Sequence, residues 1–225
     1  MTTLEDIQKR IASNIDQDYA GPTQGDTNWE LRKQYINQAL SEWGQAYDWQ
    51  VLYKEYNTLT SVSTGNASIS LPSDYRKIAS YPRVGADELP KIFPQDKGLY
   101  TSSDKYFYEM GNNKDGYTMV VSPGTSNGYI SSGASIQVSY FAVPTALVSG
   151  SDESPCPDAE FLVSRACEFL FRAADDPRFT VLKQEADTRI ARMLERENTQ
   201  SVADDNFSRI RTREEQKGFR VGRDG

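Results

Sequence analysis

The 225-residue sequence contains no histidine, only two cysteines and no long apolar run, and each absence removes a class of function. Without an imidazole, no side chain of near-neutral pKa is available to take a proton from a serine or cysteine nucleophile, so Ser-His-Asp and Cys-His hydrolases are excluded. Cys156 and Cys167 have no CxxC spacing and no histidine to complete a mixed zinc site. They read as small buried hydrophobes in a reducing compartment. There is no GxxxxGK[ST] loop and no GxGxxG after a strand, so nucleotide binding has no support. Gly124, Gly128 and Gly133 lie in a Ser-rich stretch that reads as a surface loop. No segment approaches the roughly 18 apolar residues of a membrane span, and MTTLEDIQKR lacks the apolar core of a signal peptide. The expectation is a soluble chain outside the classical export route, with no membrane partner.

Apolar residues are also scarce. Counting the 15 Gly in place of the 13 Tyr turns the 37% hydrophobic share into about 38%, below the roughly 45–50% of ordinary globular domains. Surface therefore outweighs core, which favours a wedge-like subunit, a chain with exposed arms or a flat-faced binding module over an enzyme with a deep pocket. The net charge of −7 argues against a free DNA-binding protein, whose non-specific affinity comes from Lys and Arg releasing counterions. The acidic pairs Asp175–Asp176 and Asp204–Asp205 can hold a hard cation in principle, but capping and a solvated face account for them more simply. GNNKDG lacks the alternating acids and terminal Glu of a calcium loop and reads as a hairpin turn. No metal or cofactor is expected.

What is present is a set of amphipathic helices around a β-rich block. Leu4, Ile7, Ile11 and Ile15 recur at spacings of three and four, predicting a first helix. A turn at 19–27 leads to a second, for which Thr27 and Glu30 stand at capping-box spacing and Ile36, Ala39, Leu40, Trp43 and Tyr47 form the stripe. After Trp49 the period changes. VLYKEYNTL and NASISLP, separated by Gly65–Asn66, predict a hairpin; further strands are predicted at 76–84, 105–110, 117–122 and 134–143, with NNKDG as a tight turn. Pro82, Pro90 and Pro94 put part of this small sandwich or barrel in loop or edge strand.

A Ser/Asp/Pro linker precedes a third helix that starts near Asp158, carries Leu162, Ala166, Phe169, Leu170 and Ala173 inward, and stops at Asp-Asp-Pro. Asp176 and Pro177 then open a fourth, with Leu182, Ala186, Ile190, Met193 and Leu194 as its stripe. From Glu197 the periodicity stops and a tail is expected. Within 207–225 six basic residues face three acidic ones, so this tail carries +3 and the remainder −10. The aromatic group Trp29, Trp43, Tyr47, Trp49, Tyr53 and Tyr56 reads as core, with a sugar-stacking platform as the functional alternative.

The order of these signals resembles the adaptor, or connector, proteins of tailed-phage heads, also called head-completion or tail tubular A-like proteins. The resemblance spans most of residues 30–195. It rests on a helix ending in ALSEWGQAYDW, the phrase LPSDYRKI after a short strand, YTMVVSP as a late strand, VSYFAVP closing the sheet, a Ser/Asp-rich linker and two helices divided at DDP. It implies an α+β fold: a helical bundle formed by the N- and C-terminal helices, with an inserted small antiparallel β-domain and an extended C-terminal arm. The corresponding segments are 1–50, 51–145, 146–198 and 199–225. It further implies a structural virion protein of the neck, present in the host bacterial cytoplasm before assembly. Twelve copies would form a ring that binds the portal, extends the DNA channel, passes double-stranded DNA without specific binding, and receives a downstream tail, stopper or nozzle protein.

On that reading Phe207, Ile210 and Phe219 are apolar anchors of a portal-binding arm. Arg209, Arg211, Arg213 and Arg220 pair with carboxylates or carbonyls of the portal. Two rival readings are another neck or tail component, such as a stopper or tail terminator, which usually lacks helices on both sides of the sheet, and a carbohydrate-binding β-module.

Overall fold

The computed structural model describes residues 2–17, 20–59, 67–84, 87–101, 104–112, 115–123 and 135–218, without the side chains of 58, 59, 67, 87, 123 and 199–218. The Gly65–Asn66 turn, the Ser-rich glycine loop, Phe219 and Arg220 lie outside the described residues. The chain divides into two compact units, Met1–Tyr47 with Ala146–Gly225, and Asp48–Thr145.

The first unit is helical. Its opening helix α1 (Leu4–Asp16) begins with a reciprocal capping box. Thr3 Oγ1 accepts from the backbone N–H of Asp6 at 3.2 Å, and Asp6 accepts from the N–H of Thr3 at 3.4 Å. Leu4, Ile7 and Ile11 are fully buried, as their spacing requires. In α2 (Thr27–Ala46) the predicted Thr27–Glu30 box does not form. The Glu30 N–H reaches the Asp26 carbonyl at 3.0 Å, so the helix starts one residue earlier and Thr27 becomes its first helical residue. From there its side chain cannot serve as the cap, and Glu30 pairs with Lys33 instead.

Asp158 caps α3 (Ala159–Ala173), its Oδ1 accepting from the N–H of Glu160 at 3.0 Å. The helix ends before Asp175 in the left-handed region, and Asp176 Oδ1 accepts from the N–H of Arg178 at 2.9 Å just ahead of α4 (Phe179–Gly218). Helix α3 packs against α1, α2 and α4. Its Phe161, Leu162, Val163, Ala166 and Cys167 are sealed from solvent.

Helix α4 runs 21 residues past Glu197, where the sequence suggests a tail. The apolar stripe stops there, but a helix needs no stripe when it has nothing to pack on. Nine of the twenty residues 199–218, seven of them within 209–217, are Ala, Arg, Gln, Glu or Lys, which lose little on entering a helix. Two opposite-charge pairs, Asp205–Arg209 and Arg211–Glu215, stand at i,i+4 spacing.

The second unit holds two antiparallel sheets. One runs β1 (Tyr53–Leu59), β8 (Ser135–Ala142), β4 (Arg83–Val84), β5 (Asp87–Glu88), with β3 (Tyr75–Ile78) also on β8; the other runs β2 (Ala67–Ser70), β7 (Gly116–Pro123), β6 (Lys105–Asn112). Inward residues of both, among them Ile69, Phe107, Met119, Val121, Ile136 and Val138, share one core.

The β6–β7 hairpin forms where expected, with Asn112 opposite Gly116. The β1–β2 hairpin does not: β1 pairs with β8 from Tyr53↔Phe141 to Leu59↔Ser135, and β2 pairs with β7. Alternation marks a strand and its buried face, but partner choice is set by which faces meet across the core. The predicted strand at 76–84 is split into β3 and β4 around Pro82, which has no N–H to give a ladder.

Candidate interaction surfaces

The reactive-looking residues are structurally committed. Burial pushes both Cys156 and Cys167 thiols up to about 12, so neither is a thiolate at neutral pH. In the folded chain neither should take up maleimide at pH near 8 while the urea-unfolded chain takes up two; intact mass reads the difference, and prompt labelling of the folded chain would contradict this burial. Asp176 is held below the usual carboxylate range by its hydrogen bonds from Arg178, whose Nη2 lies 2.7 Å from Oδ2. Among the described residues no group of three His, Cys, Asp or Glu is placed to hold a metal ion. The Asp204–Asp205 side chains lie outside the description.

A sugar platform needs exposed rings. Trp29, Trp43 and Trp49 are at most 2% exposed, which leaves no indole face for a pyranose. Gln8 is fully buried and donates through Nε2 to the Trp29 carbonyl at 3.0 Å, fixing the start of α2 against α1. The three tryptophans of the aromatic group are core, whereas Tyr47 and Tyr56 are half-buried and Tyr53 is exposed.

Helix α3 carries a buried ion cluster that apolar periodicity does not reveal. Glu168 is fully buried; its Oε2 accepts from Arg165 Nη1 at 2.7 Å and its Oε1 from Arg172 Nη2. Arg165 reaches Asp187 on α4 at 2.8 Å and makes a 3.0 Å ion contact with Glu42 on α2 that lacks hydrogen-bond alignment. One guanidinium therefore ties three helices. The available signal is an Arg-x-x-Glu-x-x-x-Arg spacing, which places all three charges along one face of an otherwise apolar helix.

Two features face outward. On α4 an open groove of about 720 Å³ is lined by Pro157, Asp158, Arg189, Arg192, Met193, Glu195 and Arg196. On the β unit a short 3-10 segment (Pro94–Leu99) is flanked by Phe93 and Tyr100, and Phe93 and Leu99 are 66% and 83% exposed. Its base is anchored by a 2.9 Å bond from the Ile92 N–H to the Phe107 carbonyl.

Of the arm residues, Phe207, Arg209, Ile210, Arg211 and Arg213 fall on the last turns of α4; where their side chains point lies outside the description, as do Phe219 and Arg220 altogether. By helical spacing Phe207 and Ile210 share one face, together with Ala203.

A helical unit with a separately folded β insertion, its buried charges spent on holding helices together, defines a structural subunit more readily than a catalyst. The chain matches the SU10 adaptor protein family over residues 2–213 and belongs to that family, a phage head–tail adaptor family of structural virion proteins placed in the neck. No curated protein matches it. No helix among the described residues is long and apolar enough to cross a membrane.

Proposed function

We propose that this adaptor assembles as a ring of twelve copies on the portal, with its C-terminal arm gripping the portal and its opposite side receiving a tail, stopper or nozzle protein. The ring extends the DNA channel toward the tail. The observation that carries the reading is the family match across residues 2–213 together with the length of α4. At 1.5 Å per residue α4 is about 60 Å long against about 22 Å for α3, so much of it has no room alongside the helix it packs on. The projecting part carries Phe207, Arg209, Ile210, Arg211 and Arg213, and beyond it follow Phe219 and Arg220.

A ring closes when each subunit offers two different complementary faces related by rotation. A net charge of −7 suits a bore that passes DNA, because carboxylates do not trap phosphates by counterion release.

Electron microscopy of the protein mixed with isolated portal tests this reading. The expected image is a second ring of twelve coaxial with the portal, reached through the C-terminal ends of the subunits. Free monomers beside unchanged portals would sink it.

A further inference from the structure

The groove on α4 is the least explained part of the helical unit. Arg189, Arg192 and Arg196 stand at i, i+3 and i+7 on one helix face. Arg189 is committed: its Nη1 lies 3.3 Å from Asp158 Oδ2, and its Nη2 lies 3.0 Å from Glu185 Oε1. It forms a fixed wall. Arg192 and Arg196 are exposed and make no ion pair or hydrogen bond among the described residues; Glu195, also exposed, is the acidic residue beside them in the lining, and the groove keeps an excess of positive charge. Met193, only 5% exposed, and Pro157 give the groove an apolar floor and side. Among the described residues the other arginines of this unit, including Arg10, Arg32, Arg165, Arg172 and Arg178, have a carboxylate partner, so two adjacent free ones on a concave surface stand apart.

We infer that this groove receives carboxylates of a second copy of the chain, forming one half of the contact between neighbouring subunits. This rests on the ring reading above. Two guanidinium forks one turn apart bind a carboxylate with directional, charge-assisted hydrogen bonds, and Arg is less strongly hydrated than Lys, so it loses less on being covered. The occupant follows from charge. Outside residues 207–225 the chain carries −10, so a second copy is an acidic body already present at the required stoichiometry. Among the described residues Glu153 and Asp175 are exposed carboxylates of the helical unit without an ion pair. Groove and acid sit at different places on each subunit, which is the heterologous arrangement that rotation repeats.

The test uses the full chain with lysines in place of the two arginines (Arg192→Lys, Arg196→Lys), assembled on portal from a mixture of light and heavy-isotope copies. A zero-length carbodiimide couples an amine only to a carboxylate in contact, and mass spectrometry of mixed-isotope peptides identifies coupling between copies. The expected product joins the amine introduced at position 192 or 196 of one copy to an Asp or Glu of another. In parallel, Arg192→Glu with Arg196→Glu should raise the protein concentration needed for ring formation about tenfold, as two rim contacts turn repulsive. Rings that form without intercopy coupling, and at unchanged concentration in the reversed variant, overturn the groove assignment and leave the ring reading intact. Failure of the unaltered protein to form rings overturns both. Salt-sensitive binding of duplex DNA that is lost in the reversed variant would assign the arginines to phosphate instead and overturn the inference.

Discussion

Arg165→Met is expected to cost the helical unit about 3–5 kcal/mol, because it leaves the carboxylate of Glu168 buried with only Arg172 beside it. Glu168 has no exposed surface, whereas the other partners of Arg165 do: Glu42 and Asp187 have side chains 46% and 51% exposed, and water takes them over once the guanidinium is gone. The penalty is therefore concentrated in one group. For a chain of this length it corresponds to a fall of roughly 6–20 °C in the melting of the helical signal by far-UV dichroism.

The double variant Arg165→Met, Glu168→Leu should recover most of that loss, since a buried ion pair exchanged for apolar residues of similar volume is often neutral. Arg172 is 53% exposed and is solvated without its partner. A single variant as stable as the parent, or a double variant less stable than the single, would contradict the assignment of Glu168 as the charge that needs compensating.

That buried carboxylate also marks where sequence reasoning stops. Leu4, Ile7 and Ile11 announce α1 because their spacing has one explanation, and Asp-Asp-Pro at 175–177 announces the α3–α4 corner because proline cannot continue a helix. Such local rules carry the α+β class, with helices before and after an antiparallel sheet. The failures share a different cause. Whether Tyr53–Leu59 pairs with Ala67–Ser70 or with Ser135–Ala142 is a choice between distant surfaces, on which the local pattern is silent. Glu168 reads as a solvated residue in sequence because its compensation comes from Arg165 and Arg172, and the other carboxylates around Arg165 come from α2 and α4.

The candidate surfaces are less legible than the fold. Phe207 and Ile210 stand out as apolar residues in a basic segment, but a segment without a core stripe reads as a tail even where a solvated helix forms. Arg192 and Arg196 give no sequence signal: what distinguishes them is that neighbouring arginines have partners and they do not, which only the folded chain reveals.

Truncation after residue 199 should abolish attachment to portal-bearing heads while leaving a folded protein. The cut spares the contacts that hold α4 in its unit: Ala186 and Met193 remain buried, and Asn198 still accepts from the Tyr47 hydroxyl at 2.8 Å. On the proposed ring, the truncation removes twelve arms that would act together. Linked weak sites gain about 10²–10⁴ in avidity over one, so removing every arm takes away a term far larger than any single contact. Centrifugation of mixed heads and protein separates bound from free, and attachment at the parental level would remove the arm from the account.

Because α4 is helical as far as Gly218, the manner of binding is testable as well. Asp205→Pro places a residue costing about 3 kcal/mol in the helix interior just ahead of Phe207 and Ile210, and it turns them off the line set by residues 179–204. If the arm docks as a helix with Ala203, Phe207 and Ile210 along one face, Asp205→Pro should match the truncation and Asp205→Ala should not. If both variants attach normally while the truncation fails, the arm binds in an extended form, and the helix seen in the free subunit is given up on the portal.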